Sequence, residues 1–127
     1  MFKQRVRVSN QNNPELYFED DFWVDTRALY SYVPENLLQK ISAEPLETLN
    51  VVLADGRIEK RLFGYCNFQI LTLLSAKARP CPVIFGPPKS LLLLGATTLE
   101  NFTVEVDPLG GELKPILAIT GGFIASR

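Results

Sequence analysis

One acidic residue, Asp25, stands where a carboxylate could take part in acid–base chemistry. It ends the apolar, β-prone run 22–24 and is followed directly by the hydroxyl residue Thr26. A buried strand can carry such an acid into a dry cleft, where its surroundings tune its pKa. An Asp-Thr pair after an apolar run also commonly begins a turn, so a purely structural role for Asp25 stays open.

Composition removes several classes of chemistry. The 127 residues contain no histidine, which excludes Ser-His and Cys-His catalysis and imidazole metal sites. Thirteen Lys and Arg against fourteen Asp and Glu give a net charge of −1. The chain therefore lacks the basic excess that would indicate nucleic-acid binding. Cys66 and Cys81 lack a CxxC spacing and are expected as buried, reduced thiols, with a disulfide left open. No metal and no cofactor are expected.

Length and hydropathy favour one soluble domain. A chain of 127 residues fits a single domain, 1–127, with a sizeable core. The segment 1–8 lacks the apolar centre of a signal peptide, and no stretch reaches about 18 apolar residues. We therefore expect a cytoplasmic protein that has no membrane partner.

The first third of the chain reads as short strands. Residues 2–8 alternate apolar and basic side chains, as a half-buried strand does. The acidic triplet 19–21 is expected as a solvated turn before the central strand, 22–25. Pro34 suits the first position of a short helix.

The rest of the chain predicts further strands and a second short helix. Strands are expected at 49–53, 58–63, 65–74, 81–85, 103–106 and 113–119. The Ala54-Asp55-Gly56 segment is a hairpin turn. The apolar run 90–94 ends in Gly95, as a strand buried on both faces would. Thr97 has the spacing of a helix cap, and 121–127 is expected to be a loose tail.

Three of these features together resemble the retropepsin-like aspartic peptidases, the small single-lobe kind found in retroviruses and in microbial relatives. That family has Asp-Thr-Gly-Ala or Asp-Thr-Gly-Ser at its active strand, a flap hairpin, and an apolar-apolar-Gly before a helix. Here the corresponding segments are Asp25-Thr26-Arg27-Ala28, Ala54-Asp55-Gly56 and Leu93-Leu94-Gly95, within about 22–108. The resemblance implies an all-β fold, a closed barrel with one or two short helices.

The resemblance also implies an activity and an assembly. Aspartic peptidases activate water between two carboxylates that share one proton. The Asp25-Thr26 pair occurs once, so a twin subunit would supply the second carboxylate. The implied protein is a homodimer acting on a peptide or protein substrate, closed by the chain ends 1–8 and 113–119.

Each motif residue would have a task under this resemblance. Asp25 would serve as base and acid by turns, while Thr26 would hydrogen-bond across the dimer interface. Ala28, being small, would let neighbouring backbone approach closely. The expected substrate-binding positions are those of the flap turn and the apolar-apolar-Gly motif, namely Ala54, Asp55, Gly56, Leu94 and Gly95.

Arg27 stands where the family has glycine. Its backbone amide is retained, but its side chain adds a cation near Asp25 and takes up space in the cleft. An opposite charge favours the ionised acid, so two such cations in a dimer would remove the shared proton. Three interpretations follow: a salt bridge in an inactive relative, a side chain turned outward from an active site, or an anion-binding site. We favour the first and expect negligible peptidase activity.

Two further functions stay open. A non-catalytic homodimer could bind an extended peptide in the same groove by strand addition. The chain could also be a small β-barrel in which Asp25 only closes a turn, which a monomer in solution would favour. Only the peptidase predicts acid-optimal cleavage that is lost on Asp25→Asn.

Overall fold

The computed structural model describes residues 2–74, 76–116, 118–120 and 123–125, the last two segments as strands only. The chain is mainly β, as predicted, and this part of it contains two six-residue helices, neither long nor apolar enough to cross a membrane. In order, the elements are β1 (Lys3–Ser9), β2 (Tyr17–Val24), β3 (Ser31–Pro34), α1 (Glu35–Lys40), β4 (Pro45–Val52), β5 (Ile58–Ile70), β6 (Arg79–Gly86), β7 (Leu93–Leu94), α2 (Ala96–Asn101), β8 (Val104–Asp107), β9 (Glu112–Pro115), β10 (Ala118–Thr120) and β11 (Phe123–Ala125).

The main sheet is arranged as a ring of six strands. β1 pairs with β2 and β5, β5 with β6, β6 with β3, and the two-residue β7 joins β3 to β2. The β2–β7 and β3–β6 pairs are parallel. Among the described strands β4 pairs with β5 alone, so β4 forms an edge of the sheet. β8 with β9, and β10 with β11, form two separate hairpins.

Apolar side chains from the ring meet in one main core. Phe22 of β2 and Phe68 of β5 are fully buried and touch edge to face, with their ring centroids 6.0 Å apart. On β1, Val6 and Val8 are fully buried, Lys3 and Arg5 are exposed, and Arg7 is half-buried. This is the predicted alternation. Burying a side chain of this kind contributes about 1.5–3 kcal/mol relative to leaving it in water. This core holds the strand that leads to Asp25.

The acidic triplet 19–21 lies within β2, so the predicted turn is wrong. Across the β1–β2 pair, Arg7 Nε donates to Glu19 Oε2 at 2.7 Å, and Arg5 Nη1 lies 3.4 Å from Asp21 Oδ1. Opposite charges that face each other on antiparallel strands stabilise the pair. Two of the three acids, Glu19 and Asp21, thus have basic partners on β1, which the local sequence does not reveal.

Several predicted boundaries also differ from the structure. The strands expected at 58–63 and 65–74 are one strand, β5, which runs through Gly64. A Cβ on Gly64 would lie 2.9 Å from the Glu44 carbonyl oxygen, so this glycine allows close backbone passage and does not end the strand. The strand expected at 90–94 is only the two-residue β7, because the residues before it make no ladder.

The carboxyl-terminal predictions are also revised in part. The strand expected at 113–119 is divided between β9 and β10. Part of the predicted loose tail forms β11. The other residues of that tail, 121, 122, 126 and 127, lie outside the described residues, as does Met1 at the other end.

Candidate functional site

β2 carries Asp25 to the start of a loop that backbone hydrogen bonds hold from two sides. The Val24 N–H donates to the Phe2 carbonyl at 2.9 Å, and the Asp25 N–H donates to the Leu94 carbonyl at 3.0 Å. In the parallel β2–β7 pair Val24 lies opposite Leu94. The apolar-apolar-Gly motif therefore lies beside the Asp25 loop, and the fully buried Leu94 supports the loop from the core.

Asp25 closes its own turn with its side chain. Its Oδ1 atom accepts a hydrogen bond from the Arg27 backbone N–H at 3.0 Å, and its carbonyl accepts one from the Ala28 N–H at 3.3 Å. Only 15% of the Asp25 side chain is exposed. The carboxylate is thus held in one position with a small part open to solvent, while Thr26 beside it is exposed.

The Arg27 side chain combines two of the expected arrangements. Its Nε atom lies 3.4 Å from Asp25 Oδ1, which is an ion pair, yet 82% of the side chain is exposed. An exposed pair at this distance stabilises by at most about 1 kcal/mol. The guanidinium is therefore weakly held and points largely to solvent.

The same turn occurs at the tip of the β4–β5 hairpin. Asp55 Oδ1 accepts a hydrogen bond from the Arg57 backbone N–H at 3.0 Å, and Asp55 Oδ2 accepts one from Arg57 Nε at 2.6 Å. There 55% of the Asp55 side chain is exposed, against 15% for Asp25. Burial, and not the local turn, distinguishes Asp25 from an ordinary surface Asp-x-Arg turn.

The Asp25 loop also rests on the start of α2. The Ala96 N–H donates to the Ala28 carbonyl at 2.7 Å, and the Thr97 N–H donates to the Leu29 carbonyl at 3.0 Å. The free amides of the first helical turn are thus bound by loop carbonyls. The predicted cap by Thr97 is wrong: Gly95 is the cap residue, and no side chain caps the helix.

A buried hydroxyl pair fixes Gly95 beneath the loop. The Gly95 N–H donates to Ser31 Oγ at 3.0 Å, and that oxygen lies 2.6 Å from Thr98 Oγ1. Ser31 and Thr98 are both fully buried. The sequence analysis missed them, and the only signal was a hydroxyl residue within each of two largely apolar segments.

A groove of about 680 Å³ lies between the Asp25 loop and the end of β4. Six consecutive residues, 49–54, line it on one side. Successive side chains of a strand point to opposite faces, so a cavity lined by consecutive residues follows the strand edge. The unpaired backbone groups of that edge are therefore available to an extended ligand.

The other walls of the groove are apolar or aromatic apart from Arg27, and Asp25 also lines the groove. They come from the loop after Asp25 and from β3, β6 and β7, and the residues are Arg27, Ala28, Leu29, Tyr30, Tyr32, Ile84 and Leu93. Burial raises the pKa of Tyr32 above its ordinary value, and the nearby Arg61 guanidinium opposes that rise only in part. The Tyr32 hydroxyl is thus a neutral donor at neutral pH. Tyr30 and Tyr32 are groove residues that the sequence analysis did not single out.

A smaller cavity of about 300 Å³ lies on the other side of the same loop. Asp25 and Arg27 line both cavities. The remaining walls of the smaller cavity are Phe2, Val24, Thr26, Val106, Pro108 and Gly111. The loop therefore forms the boundary between two openings.

The predicted substrate-binding residues are not all at the groove. Ala54 lines it, whereas Asp55 and Gly56 form the hairpin tip and do not. Gly56 has φ of +86°, a left-handed conformation that this tight turn requires and that favours glycine. Leu94 and Gly95 support the Asp25 loop from below and do not line the groove either.

The two cysteines lie in the core, as predicted, away from the groove. Cys66 of β5 and Cys81 of β6 are free and face each other across the two strands. Burial, and to a smaller extent the neighbouring thiol, raises the pKa of Cys66 to about 12. A thiol of this kind stays protonated and is a poor nucleophile.

The site thus offers one mostly buried carboxylate, one largely exposed guanidinium paired with it, and an apolar groove. Along the described part of the chain no group of three or more acidic or thiol side chains could hold a metal ion. A single carboxylate cannot at once accept a proton from water and give one to a leaving group, so chemistry that needs both transfers together requires a second acid. No protein-family model matches the chain, and no curated protein matches it.

Proposed function

We propose that the chain is a retropepsin-like aspartic peptidase homologue with the closed barrel of that family. It binds an extended peptide in the groove and pairs with a second copy, so that two Asp25 carboxylates face each other. As the sequence stands, Arg27 keeps hydrolysis negligible.

The setting of Asp25 is the observation that carries this proposal. Asp25 lies at the end of a core strand, and only 15% of its side chain is exposed. It lines a groove that follows a free strand edge. An acid whose only role is to close a turn needs neither burial nor a groove, since the Asp55 turn forms with 55% of its side chain exposed. Support from Gly95 and its buried hydroxyl partners gives the loop the rigidity that a catalytic carboxylate requires.

The proposed chemistry uses the two carboxylates in different protonation states. The ionised one accepts a proton from water as the water oxygen bonds to the peptide carbonyl carbon. The protonated one donates its proton to the carbonyl oxygen, which gives a gem-diol. The carboxyl that took the water proton then donates it to the amide nitrogen as the C–N bond breaks, and the other carboxylate takes a gem-diol proton as the new carboxyl group forms. Two like charges about 3 Å apart cannot both ionise easily, which keeps one proton on the pair.

Arg27 opposes that arrangement through its charge. Its guanidinium lies 3.4 Å from the Asp25 carboxylate, so a dimer would bring two cations to the place where the two acids must share one proton. Two such cations would weaken the like-charge repulsion that is proposed to keep one proton on the carboxylate pair. Because the Arg27 backbone amide, and not its side chain, closes the turn, a glycine at this position preserves the loop.

The test is a peptide-library digest between pH 3 and 7. The proteins are wild type, Arg27→Gly, and the double variant Arg27→Gly/Asp25→Asn. Arg57→Gly is the matched control, since it removes an arginine from the same kind of turn at the hairpin tip. We expect acid-optimal cleavage by Arg27→Gly alone.

Each other result has a defined meaning. Efficient Asp25-dependent cleavage by wild type would show that Arg27 does not suppress hydrolysis. A monomer at all concentrations in light scattering, together with an inactive Arg27→Gly, would overturn the peptidase proposal.

A second candidate is a non-catalytic peptide-binding homodimer, which the free edge of β4 favours. Residues 49–52 of this edge line the groove, and strand addition requires such an edge. Peptide binding without any cleavage by Arg27→Gly would identify this function instead.

A further inference from the structure

We propose that Arg27 makes the groove selective for extended apolar peptides that carry an internal acidic side chain. This inference rests on the proposed peptide-binding function and adds the class of peptide that the groove takes. It gives the arginine a positive role in recognition, beyond its effect on Asp25.

The Arg27 guanidinium keeps hydrogen-bond donors available for a ligand. Within the described residues its hydrogen bond and ion pair both use Nε, which leaves Nη1 and Nη2 for another acceptor. Arg61 shows the contrast. Its Nε donates to the Phe85 carbonyl, its two terminal nitrogens approach Glu59 and Glu35, and only 16% of its side chain is exposed. Arg61 is committed to the fold, whereas Arg27 is available to a ligand.

The accessible charge of the groove is positive. Among the residues that the structure describes, Asp25 and Arg27 are the only charged ones that line it. The Asp25 carboxylate is 15% exposed and already accepts the Arg27 backbone amide, while 82% of the Arg27 side chain is exposed. A peptide in the groove therefore meets apolar walls and one cation, for which an acidic side chain is the complementary group.

The acidic group is inferred to be a side chain and not a chain end. Asp25 and Arg27 line both the groove and the smaller cavity, so a second opening lies beside the groove at these residues. A peptide that adds to the β4 edge can continue beyond Arg27. A terminal carboxylate would instead require a closed end at this position.

The test is fluorescence polarisation with labelled nine-residue peptides of Val, Leu and Thr that carry one Glu. Each has acetylated and amidated ends, and twins carry Gln or Lys in place of Glu. Wild type should bind the Glu peptide roughly fivefold more tightly than the Gln twin at low salt, as one solvent-accessible ion pair allows. This preference should shrink at 0.5 M salt because added ions screen it.

Variants identify the residue responsible. Arg27→Gln should abolish the preference, Arg27→Lys should keep most of it, and Arg27→Glu should favour the Lys twin. Arg57→Gln is the matched control and should leave the preference unchanged. The side chain of Arg27 is largely exposed, so these variants are expected to fold as wild type does.

The outcomes separate this inference from the function on which it rests. Equal binding of the Glu and Gln peptides, or an equal effect of Arg57→Gln, would overturn the inference while leaving peptide binding in place. A gain confined to peptides with a free terminal carboxylate would overturn the choice of a side chain. Failure of every peptide to bind any variant would overturn the proposed peptide binding itself.

Discussion

Gly95→Ala should be the most damaging single-methyl change near the site. The added Cβ would lie 2.4 Å from the Tyr30 carbonyl carbon and 2.9 Å from the Ala28 carbonyl oxygen, both backbone atoms. Carbon atoms pack at about 3.5–4.0 Å, so the backbone must move by roughly 1 Å. Gly95 has φ of −88°, which alanine adopts readily, so the whole cost comes from this overlap.

The magnitude follows because the three atoms nearest to the added Cβ are all backbone atoms. Overpacking a rigid interior costs typically 1–3 kcal/mol, and a forced backbone shift belongs at the upper end of that range. We expect a loss of about 3 kcal/mol in the free energy of unfolding. Gly56→Ala is the control: its φ of +86° is unfavourable for alanine, but nothing lies within 4 Å of the new Cβ. That strain should cost about 1–2 kcal/mol.

The assay is urea unfolding followed by the fluorescence of Trp23, which pairs with Leu93 beside the loop. A small domain with 5–15 kcal/mol of stability should remain folded with alanine at position 95. If Gly95→Ala cost no more than Gly56→Ala, the Asp25 loop would not be packed as tightly against Gly95 as the distances require.

Three further predictions concern groups away from the groove. Ser31→Ala should cost about 1–3 kcal/mol in urea unfolding, because it leaves a buried amide and a buried hydroxyl without their partner. The Lys114 ammonium, 3.0 Å from Asp107, lowers the pKa of that carboxyl. The stabilising effect of the ion pair should therefore persist at neutral pH and disappear as the pH falls through the lowered pKa of Asp107. NMR titration should show the Asp107 midpoint rising in Lys114→Gln. Native Cys66 and Cys81 should resist alkylation at pH 8 and react in denaturant, since both are buried and burial raises the pKa of each.

The sequence predicts the parts of the site that local pattern determines. The apolar run before Asp25, the hairpin turn at Gly56 and the apolar run before Gly95 each carry their own signal within a few residues. The structure has an element at each of these places. Alternation along β1 is predictable for the same reason.

Long-range contacts account for what the sequence could not supply. Ser31 and Thr98 are 67 positions apart, and nothing in either segment identifies the other as its partner. Within the acidic triplet 19–21, Glu19 and Asp21 face arginines of β1, and these partners lie 12 or more positions away in the sequence. Thr97 has the local spacing of a helix cap, but carbonyls of the Asp25 loop bind the first amides of α2 instead. Tertiary contacts of this kind override local preference.

The uninterrupted length of β5 has a mechanical consequence for access to the groove. Its first half pairs with β4 in the hairpin, and its second half pairs with β6 and β1 around the buried Phe68. A 13-residue strand of this kind has no loop at which the hairpin can pivot as a separate flap. Lifting the hairpin must bend the strand itself and disturb the ladder that anchors it. Movement of the hairpin and the integrity of the interior are therefore coupled through one continuous piece of backbone.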